Sequence, residues 1–501
     1  MKSTLDVDLE AASRTANIGI VVLFGLFAAA GHFVSFYFHF FTVACFLLVL
    51  VNLYWRHFQT EHTLLANFGF LAQIRYLVES VGPEFRQYLF ASDTEERPFN
   101  RVDRAQVYRK AKGIDSSSAF GTLLPYDQDE IKLRHSFYPA DQNQLEPFDV
   151  VVGAARGLAT AHHIKRPLMI SAMSFGALGE HAVRALARGA ALSGATMNTG
   201  EGGYPKHHLE EGCDLTFQLG TAKFGVRTED GRLDDAKLAA LAAHEQIKMV
   251  EIKFSQGAKP GKGGLLPKEK ITEEIAELRG VPLGKDVISP SHHVECTDAA
   301  STVAFIGHVQ EVCGLPTGIK FCLGRPDEFR ELVREMKRQD IVPDFITVDG
   351  GEGGTGAAPK SFMDELGLPL FEALPLVQTI LVEEGVRDRL KLFASGKLIS
   401  AGKQLQAMSM GADAVYSARG FLLALGCIQA LMCNRNSCPV GITTHEAHLQ
   451  QGLDIEEKSQ RVANYIKAIH HEHEELLAAT GQHAARDLTP VNLYVPDQVR
   501  S

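Results

Sequence analysis

The stretch DFITVDGGEGGTG, residues 344–356, is a short apolar run of strand length that ends abruptly in glycines. Five further segments share that texture: PLMISAMSFGALG (167–179), KMVEIKFSQGAKPG (248–261), TGIKFCLG (317–324), LKLFASGKLIS (390–400) and GADAVYSARG (411–420). Helical patterns separate them. Strand-length runs alternating with helices indicate βαβ units and a parallel sheet. Six such units, each closing on glycine or polar residues, fit an α/β TIM barrel better than a doubly wound sheet. Barrel active sites lie at the C-terminal ends of the strands, so the residues just after each run are the candidates. They are SFGALG, the NTGEGG loop around Glu201, the segment from Lys253 to Lys262, Lys320, DGGEGGTG, Ser395-Gly396-Lys397 and Ser417 to Gly420. The last two follow successive late strands, where barrels bind phosphate through backbone N–H groups and a short helix N-terminus. A phosphate-bearing cofactor is implied, although glycines also serve tight βα turns.

Lys253, Lys259 and Lys262 share one loop beside a strand end. Such lysines offset the charge of a reduced flavin, hold a substrate carboxylate, or lie in solvent. Glu201, flanked by glycines, either orients an amine or imine or serves the turn itself.

The chain has 501 residues, 45% of them hydrophobic, enough for one barrel-sized domain with appendages or for two to three domains. Its 60 acidic against 50 basic residues give a net charge of −10, and no basic stripe is present, so nucleic acid is excluded as a partner. Eight cysteines, scattered but for three, argue for a reducing compartment. The three are Cys427, Cys433 and Cys438 in GCIQALMCNRNSCPVGITT (426–444), closed by Pro439. Thiolates on one short segment with a trailing proline suggest an iron–sulfur cluster, yet three fall short of the usual four, and small buried hydrophobes are the alternative.

From Ile18 to Tyr54 the chain carries no Lys, Arg, Asp or Glu. That is too long for one span of about 20 residues and suits a hairpin of two, placed near Ile18–His32 and Phe38–Tyr54. Lys2 and Arg14 before it and Arg56 after it put both ends, and the catalytic domain, in the cytoplasm. The alternative is a helical hairpin buried in a soluble protein or an oligomer interface. The expected organisation is a hairpin (1–57), an ordered extension (58–165), the barrel with its cysteine segment (166–445) and a helical C-terminal extension (446–501). LLANFGFLAQIRYLVESV (64–81) reads as one helix and IKAIHHEHEELLAATG (466–481) as a surface helix. His470, His471 and His473 on the latter fit a solvated face better than a metal site.

The strings MSFGALGEHA, NTGEGG, EIKFSQGAKPGKGG, ISPSHH, DGGEGGTGAAP, ASGKL, MGADAV and GCIQALMCNRNSCPVGITT, in this order from about Met169 to Thr444, closely resemble the FMN-binding synthase domain of glutamate synthases and their shorter relatives. The resemblance implies a (β/α)8 barrel holding FMN and a C-x5-C-x4-C segment holding a 3Fe-4S cluster on Cys427, Cys433 and Cys438. It places Ser174 in the first FMN loop, Lys320 at the cofactor, and Gly353, Gly354, Ser395, Gly396, Arg419 and Gly420 around the ribityl phosphate. Glu201 and Lys259 take the catalytic positions near the flavin ring and a 2-oxo acid. The implied reaction is reductive amination of 2-oxoglutarate, or a related 2-oxo acid, by hydride from reduced FMN.

Its partners would be the 2-oxo acid, ammonia or an amine, and an electron donor: ferredoxin, an NAD(P)H-oxidising subunit or a membrane carrier. A homo-oligomer is compatible with it. The family usually reads GAKPGEGGQLPG where this chain has Lys262 and Leu265, and ADGGLKTG where it has Lys397 and Ile399. No room is left for a glutaminase domain, so ammonia must come from elsewhere. Two other expectations stand beside this one: an FMN enzyme acting on a 2-hydroxy or 2-amino acid, and a non-catalytic electron-transfer or scaffold subunit.

Overall fold

The computed structural model describes residues 9–59, 61–114, 117–123 and 130–496. Lys2, invoked above for orientation, lies outside them. The chain divides into two compact units, Met1–Arg101 and Val102–Ser501.

In the first unit, helices α1 (Leu9–Phe33) and α2 (Phe38–His57) pack side by side through Phe24–Phe46 and Phe27–Phe41, with ring centroids 6.0 and 5.2 Å apart. Both are long and apolar enough to cross a membrane, over Arg14–Phe33 and Phe38–His57, and almost none of that surface is buried. The single helix expected over 64–81 is broken in two. Gly69 adopts φ +55°, a left-handed value open to glycine, and separates Thr63–Phe68 from Phe70–Phe85. A π-helical turn, Arg86–Phe90, continues the second piece.

The second unit is built on eight strands: β1 (Leu168–Ile170), β2 (Met197–Asn198), β3 (Leu215–Leu219), β4 (Ile247–Lys253), β5 (Thr317–Phe321), β6 (Phe345–Asp349), β7 (Lys391–Ser395) and β8 (Ala414–Ser417). Each pairs in parallel with the next in chain order, and β8 returns to β1 through Val415 and Leu168. The barrel is therefore closed, an α/β (β/α)8 fold. The apolar runs of the sequence mark six of these strands. They miss β2, which is two residues long, and β3, whose LTFQL mixes polar and apolar residues.

The barrel interior is apolar at one level and polar at another. Met169, Met249, Phe345, Phe393, Ala414 and Tyr416 form a fully buried cluster, with Val152 and Ile164 from a small antiparallel hairpin packed into it. Elsewhere in the lumen the buried Glu251 on β4 accepts hydrogen bonds from Asn198 Nδ2 (2.8 Å), Gln218 Nε2 (2.7 Å) and Thr347 Oγ1 (2.7 Å). One carboxylate so satisfied ties β2, β3, β4 and β6 together, and an unpaired charge there would be costly.

Helix Ile455–Ala479 packs along helix Glu180–Ser193, and a Cβ at Gly189 would meet Val462 at 2.5 Å. Its histidines do not share a solvated face. His471 is exposed, but His473 is 5% exposed, turned inward beside the buried Ile466 and Ile469. The i, i+3 spacing that brings 470 and 473 to one side of the helix turns them toward the barrel.

Candidate active site

The glycines of the first two loops permit a close stack at the mouth of the barrel. Ser174, buried after β1, accepts at its carbonyl from the N–H groups of Ala177 (3.1 Å) and Leu178 (3.0 Å), which fixes the SFGAL turn. Gly200 and Gly202 lie so close that a Cβ on either would strike Ser174, at 2.6 and 2.7 Å. Between them Glu201 is presented to the mouth.

Lys253, the last residue of β4, donates from Nζ to Glu201 Oε1 at 2.5 Å and to Gln256 Oε1 at 2.7 Å. The loop that follows carries Lys259, buried, its Nζ donating to the Ala357 carbonyl at 3.0 Å. Arg279, at the end of helix Glu273–Arg279, reaches in from outside the barrel strands and donates to the Phe175 carbonyl at 3.0 Å. Burial pushes the Glu201 carboxyl up, but Lys253, with Lys259 and Arg279 behind it, outweighs burial and holds it below the ordinary glutamate value. Burial and the neighbouring Lys253 push the Lys259 ammonium down to about 8, against the pull of Glu201. Burial brings Arg279 down to about 10. The cations around this ionised carboxylate can bind an anionic substrate, and Lys259 can pass a proton near neutral pH.

The opposite wall is backbone. Asp349, closing β6, accepts from the Gly257 N–H at 2.9 Å and lies 3.8 Å from Lys320 Nζ. Beyond it, a Cβ on Gly354 would meet the Arg419 side chain at 2.8 Å, and Arg419 Nη2 donates to the Glu352 carbonyl at 2.6 Å. Gly353 sits over Asp349 in the same turn. Ser395 ends β7, Gly396 follows at φ +150°, and helix Arg419–Leu425 opens directly after β8, with Gly420 seated against Ser417 and Tyr465. The structure thus gathers Gly353, Gly354, Arg419 and Gly396 around Asp349 and Glu352, and places Lys320 beside them.

The cysteine segment adjoins the SFGAL turn. Gln429, Leu431 and Asn436 all have positive φ (60°, 57° and 57°), three non-glycine residues in left-handed conformation within one short loop. Strain of that kind concentrates at ligand clamps. The thiols differ. Burial pushes Cys427 up to about 11 and raises Cys433, while Cys438 overcomes burial and falls below its ordinary value because Thr443, Val440 and Ile442 donate to it. Tyr108 Oη donates to the Cys427 carbonyl at 2.6 Å, and the Gln429 N–H points at Cys427 Sγ at 3.4 Å. Buried Lys270 spans the two features, donating to the carbonyls of Ala177 and, at 3.3 Å, Cys433. Burial lowers its ammonium to about 8 against the pull of Cys433 and Cys438.

Among the described residues, the group of three ligating atoms drawn within 4.8 Å of one another is Glu180, His207 and Glu210, not the cysteines.

Two of the charged groups lie outside the sequence-derived set. Lys270 follows the lysine loop in PKEK, and Arg279 ends the helix of a surface-like ITEEIAELRG stretch. Neither carries a glycine-rich or strand-end signal.

A closed parallel barrel with this charged mouth and adjoining cysteine segment is of the oxidoreductase class. The family described as the conserved region in glutamate synthase matches residues 114–483. Glutamate synthase large subunit-like protein YerD of Bacillus subtilis (strain 168) is 37% identical over 461 residues, 84% of this chain and 88% of its own. A second glutamate synthase large subunit-like protein, from Rhizobium meliloti, is 29% identical over 79% of this chain and 90% of its own. An archaeal-type glutamate synthase (NADPH) of Thermotoga neapolitana is 35% identical over 64% of this chain, which spans only 61% of that protein. A solved mandelate oxidase aligns at TM-score 0.43 and 13% identity over 79% of this chain and 91% of its own, too slight a likeness to add to the strand order. The chain belongs to the glutamate synthase family, whose named members are oxidoreductases acting on CH–NH2 donors.

Proposed function

We propose that this chain is an FMN and 3Fe-4S oxidoreductase that reductively aminates 2-oxoglutarate or a related 2-oxo acid. The observation that carries it is the Glu201, Lys253, Lys259 and Arg279 constellation at the mouth, facing a wall of glycine backbone and Arg419. That wall suits a flavin phosphate: the missing side chain at Gly354 lets Arg419 lie against the loop, so a guanidinium and backbone N–H groups stand together at this turn. The cysteine loop fits a three-iron cluster in its donor set and the N–H and O–H groups directed at sulfur. When bound, FMN supplies hydride and the cluster carries the electrons that reduce it.

The chain's own residues then account for the rest. Cys427, Cys433 and Cys438 hold the irons. Ser174, Lys320, Gly353, Gly354, Ser395, Gly396, Arg419 and Gly420 hold the flavin. Lys259, as ammonium, polarises the 2-oxo group and gives its proton to the oxygen that leaves as water. Glu201, kept ionised by Lys253 and Arg279, accepts a hydrogen bond from the imine nitrogen and orients it. Overall, 2-oxo acid, ammonia, two electrons and two protons become amino acid and water.

Residues 1–57 anchor the enzyme, residues 58–165 are an N-terminal extension, 166–445 the catalytic barrel and 446–501 a helical C-terminal extension, with the catalytic domain on the cytoplasmic side. Leu265 stands beside Gly264, where a Cβ would lie 3.0 Å from Glu201 Oε1. An apolar side chain at that edge favours a second reading, in which the same site takes a less polar 2-oxo, 2-hydroxy or 2-amino acid. The test is a screen of photoreduced holoenzyme against 2-oxo acids, with and without ammonium, following flavin absorbance. Reoxidation by 2-oxoglutarate only with ammonium present supports the first reading. Failure of every 2-oxo acid with ammonium refutes it.

A further inference from the structure

Helix Phe70–Phe85 and its π-helical continuation are inside out for a water-soluble surface. Ile74, Leu77, Val78, Val81, Phe85 and Leu89 recur every three to four residues, so they share one side of the helix. All six are exposed, from 38% for Val81 to 66% for Leu89. The helix meets the rest of its unit through another side: Ala72 is buried, and Tyr76 stacks edge-on to His62 at 5.1 Å. Arg75 and Glu79, also off the apolar side, pair with each other at 2.8 Å. A contiguous apolar stripe on an amphipathic helix marks a partner.

The same unit says which partner. The helix begins at Gly69, where a Cβ would meet Asn52 and Arg56 near the end of α2 and Asn17 near the start of α1. Those are the polar ends of two helices whose apolar surface is left bare and which are long enough to span a bilayer. A helix fastened at that level starts at the headgroup boundary. There an apolar stripe with Arg75, Glu79, Glu84 and Arg86 off it is the pattern of a helix lying in the membrane plane.

We propose that residues 70–90 form an interfacial helix whose apolar stripe is immersed in the acyl boundary of the lipid bilayer, so that the membrane contact extends beyond the hairpin. This rests on the hairpin reading, and one experiment separates the two. Trp55 is the single tryptophan of the chain and sits in α2. The full chain would be reconstituted into phosphatidylcholine–phosphatidylglycerol vesicles with and without brominated acyl chains, and tryptophan quenching measured. The native chain reports the hairpin. In a Trp55→Phe background, Leu77→Trp and, independently, Phe85→Trp report the stripe, and Glu79→Trp the other side. All three sites are exposed, so the substitutions leave packing alone.

The expected result is at least twofold quenching at 77 and 85 with little at 79. Quenching of native Trp55 without quenching at 77 and 85 would overturn the interfacial helix while leaving the hairpin, and would mean that protein covers the stripe. Equal quenching at 77 and 79 would also overturn it, since the helix would then be immersed on all sides. Absence of quenching at Trp55 as well would overturn both readings.

Discussion

Lys259 is where the chemistry of this site is most exposed to measurement. The drop from 10.5 to about 8, at about 1.36 kcal/mol per unit, makes charging it roughly 3 kcal/mol harder than in water. Burial supplies most of that cost, and Lys253 and Lys262 add to it, while Glu201 opposes it. A group that must be ammonium to act is therefore lost as pH rises through about 8 rather than above 10. The rate of substrate-driven flavin reoxidation should fall through that range. Lys259→Arg, whose guanidinium stays charged throughout that range, should remove the fall even if its rate is lower. A profile unchanged by the substitution would take Lys259 out of the proton-transfer role. At the cysteine loop, Cys433→Ser should remove the iron signal measured by EPR and metal analysis but leave FMN bound, because the glycine wall at Arg419 does not depend on that thiol. Full iron content in the variant would refute its assignment as a ligand.

Between elements, the tightest seam outside the barrel is the crossing of helices Glu180–Ser193 and Ile455–Ala479. Gly189 lies against Val462 and the Ser459 carbonyl, 2.5 and 2.8 Å from where its Cβ would stand, so the crossing exists because that residue has no side chain. Gly189→Leu should force the helices apart and cost about 1–3 kcal/mol, read as a lower Tm of the holoenzyme. An unchanged Tm would mean that the crossing is looser than drawn. The C-terminal helix was legible from its periodicity, but its inward side was not, because IKAIHHEHEELL offers histidines where a buried face ordinarily offers leucine or valine. The strands divide in the same way. β4 and β6 announce themselves by apolar runs ending in charge and glycine. β2 is two residues long and β3 alternates Thr and Gln with Phe and Leu, because in the lumen Gln218 donates to Glu251 and Thr216 meets the Tyr416 hydroxyl. Of the mouth, Glu201 and Lys259 stood out through their glycine-rich loops. Arg279 and Lys270 come from segments that read as surface and become site residues only when the fold carries them inward.

Across the whole molecule, buried histidines set the response to acid. Burial brings His162, His208, His293 and His445 down to about 4 and His473 to about 3. His208, His293 and His445 each keep one ring nitrogen on a backbone carbonyl, at Met173, Lys253 and Gly176, whereas neither ring nitrogen of His473 has a hydrogen-bond partner. In the unfolded chain each would titrate near 6.5. A base whose folded value is depressed takes up its proton only on unfolding, so the folded state loses nothing above pH 6.5 and loses stability as pH falls from 6.5 toward 4. The upper part of that window lies above the ordinary carboxylate range, so the histidines dominate there. The Tm of the detergent-solubilised holoprotein should therefore fall as pH drops below 6.5. His473→Phe should flatten part of that fall, since it replaces an unpartnered buried imidazole with an apolar ring. A Tm that does not change between pH 7 and 5, or a variant that falls as steeply as the native chain, would show that these rings are hydrated or already paired in the folded protein.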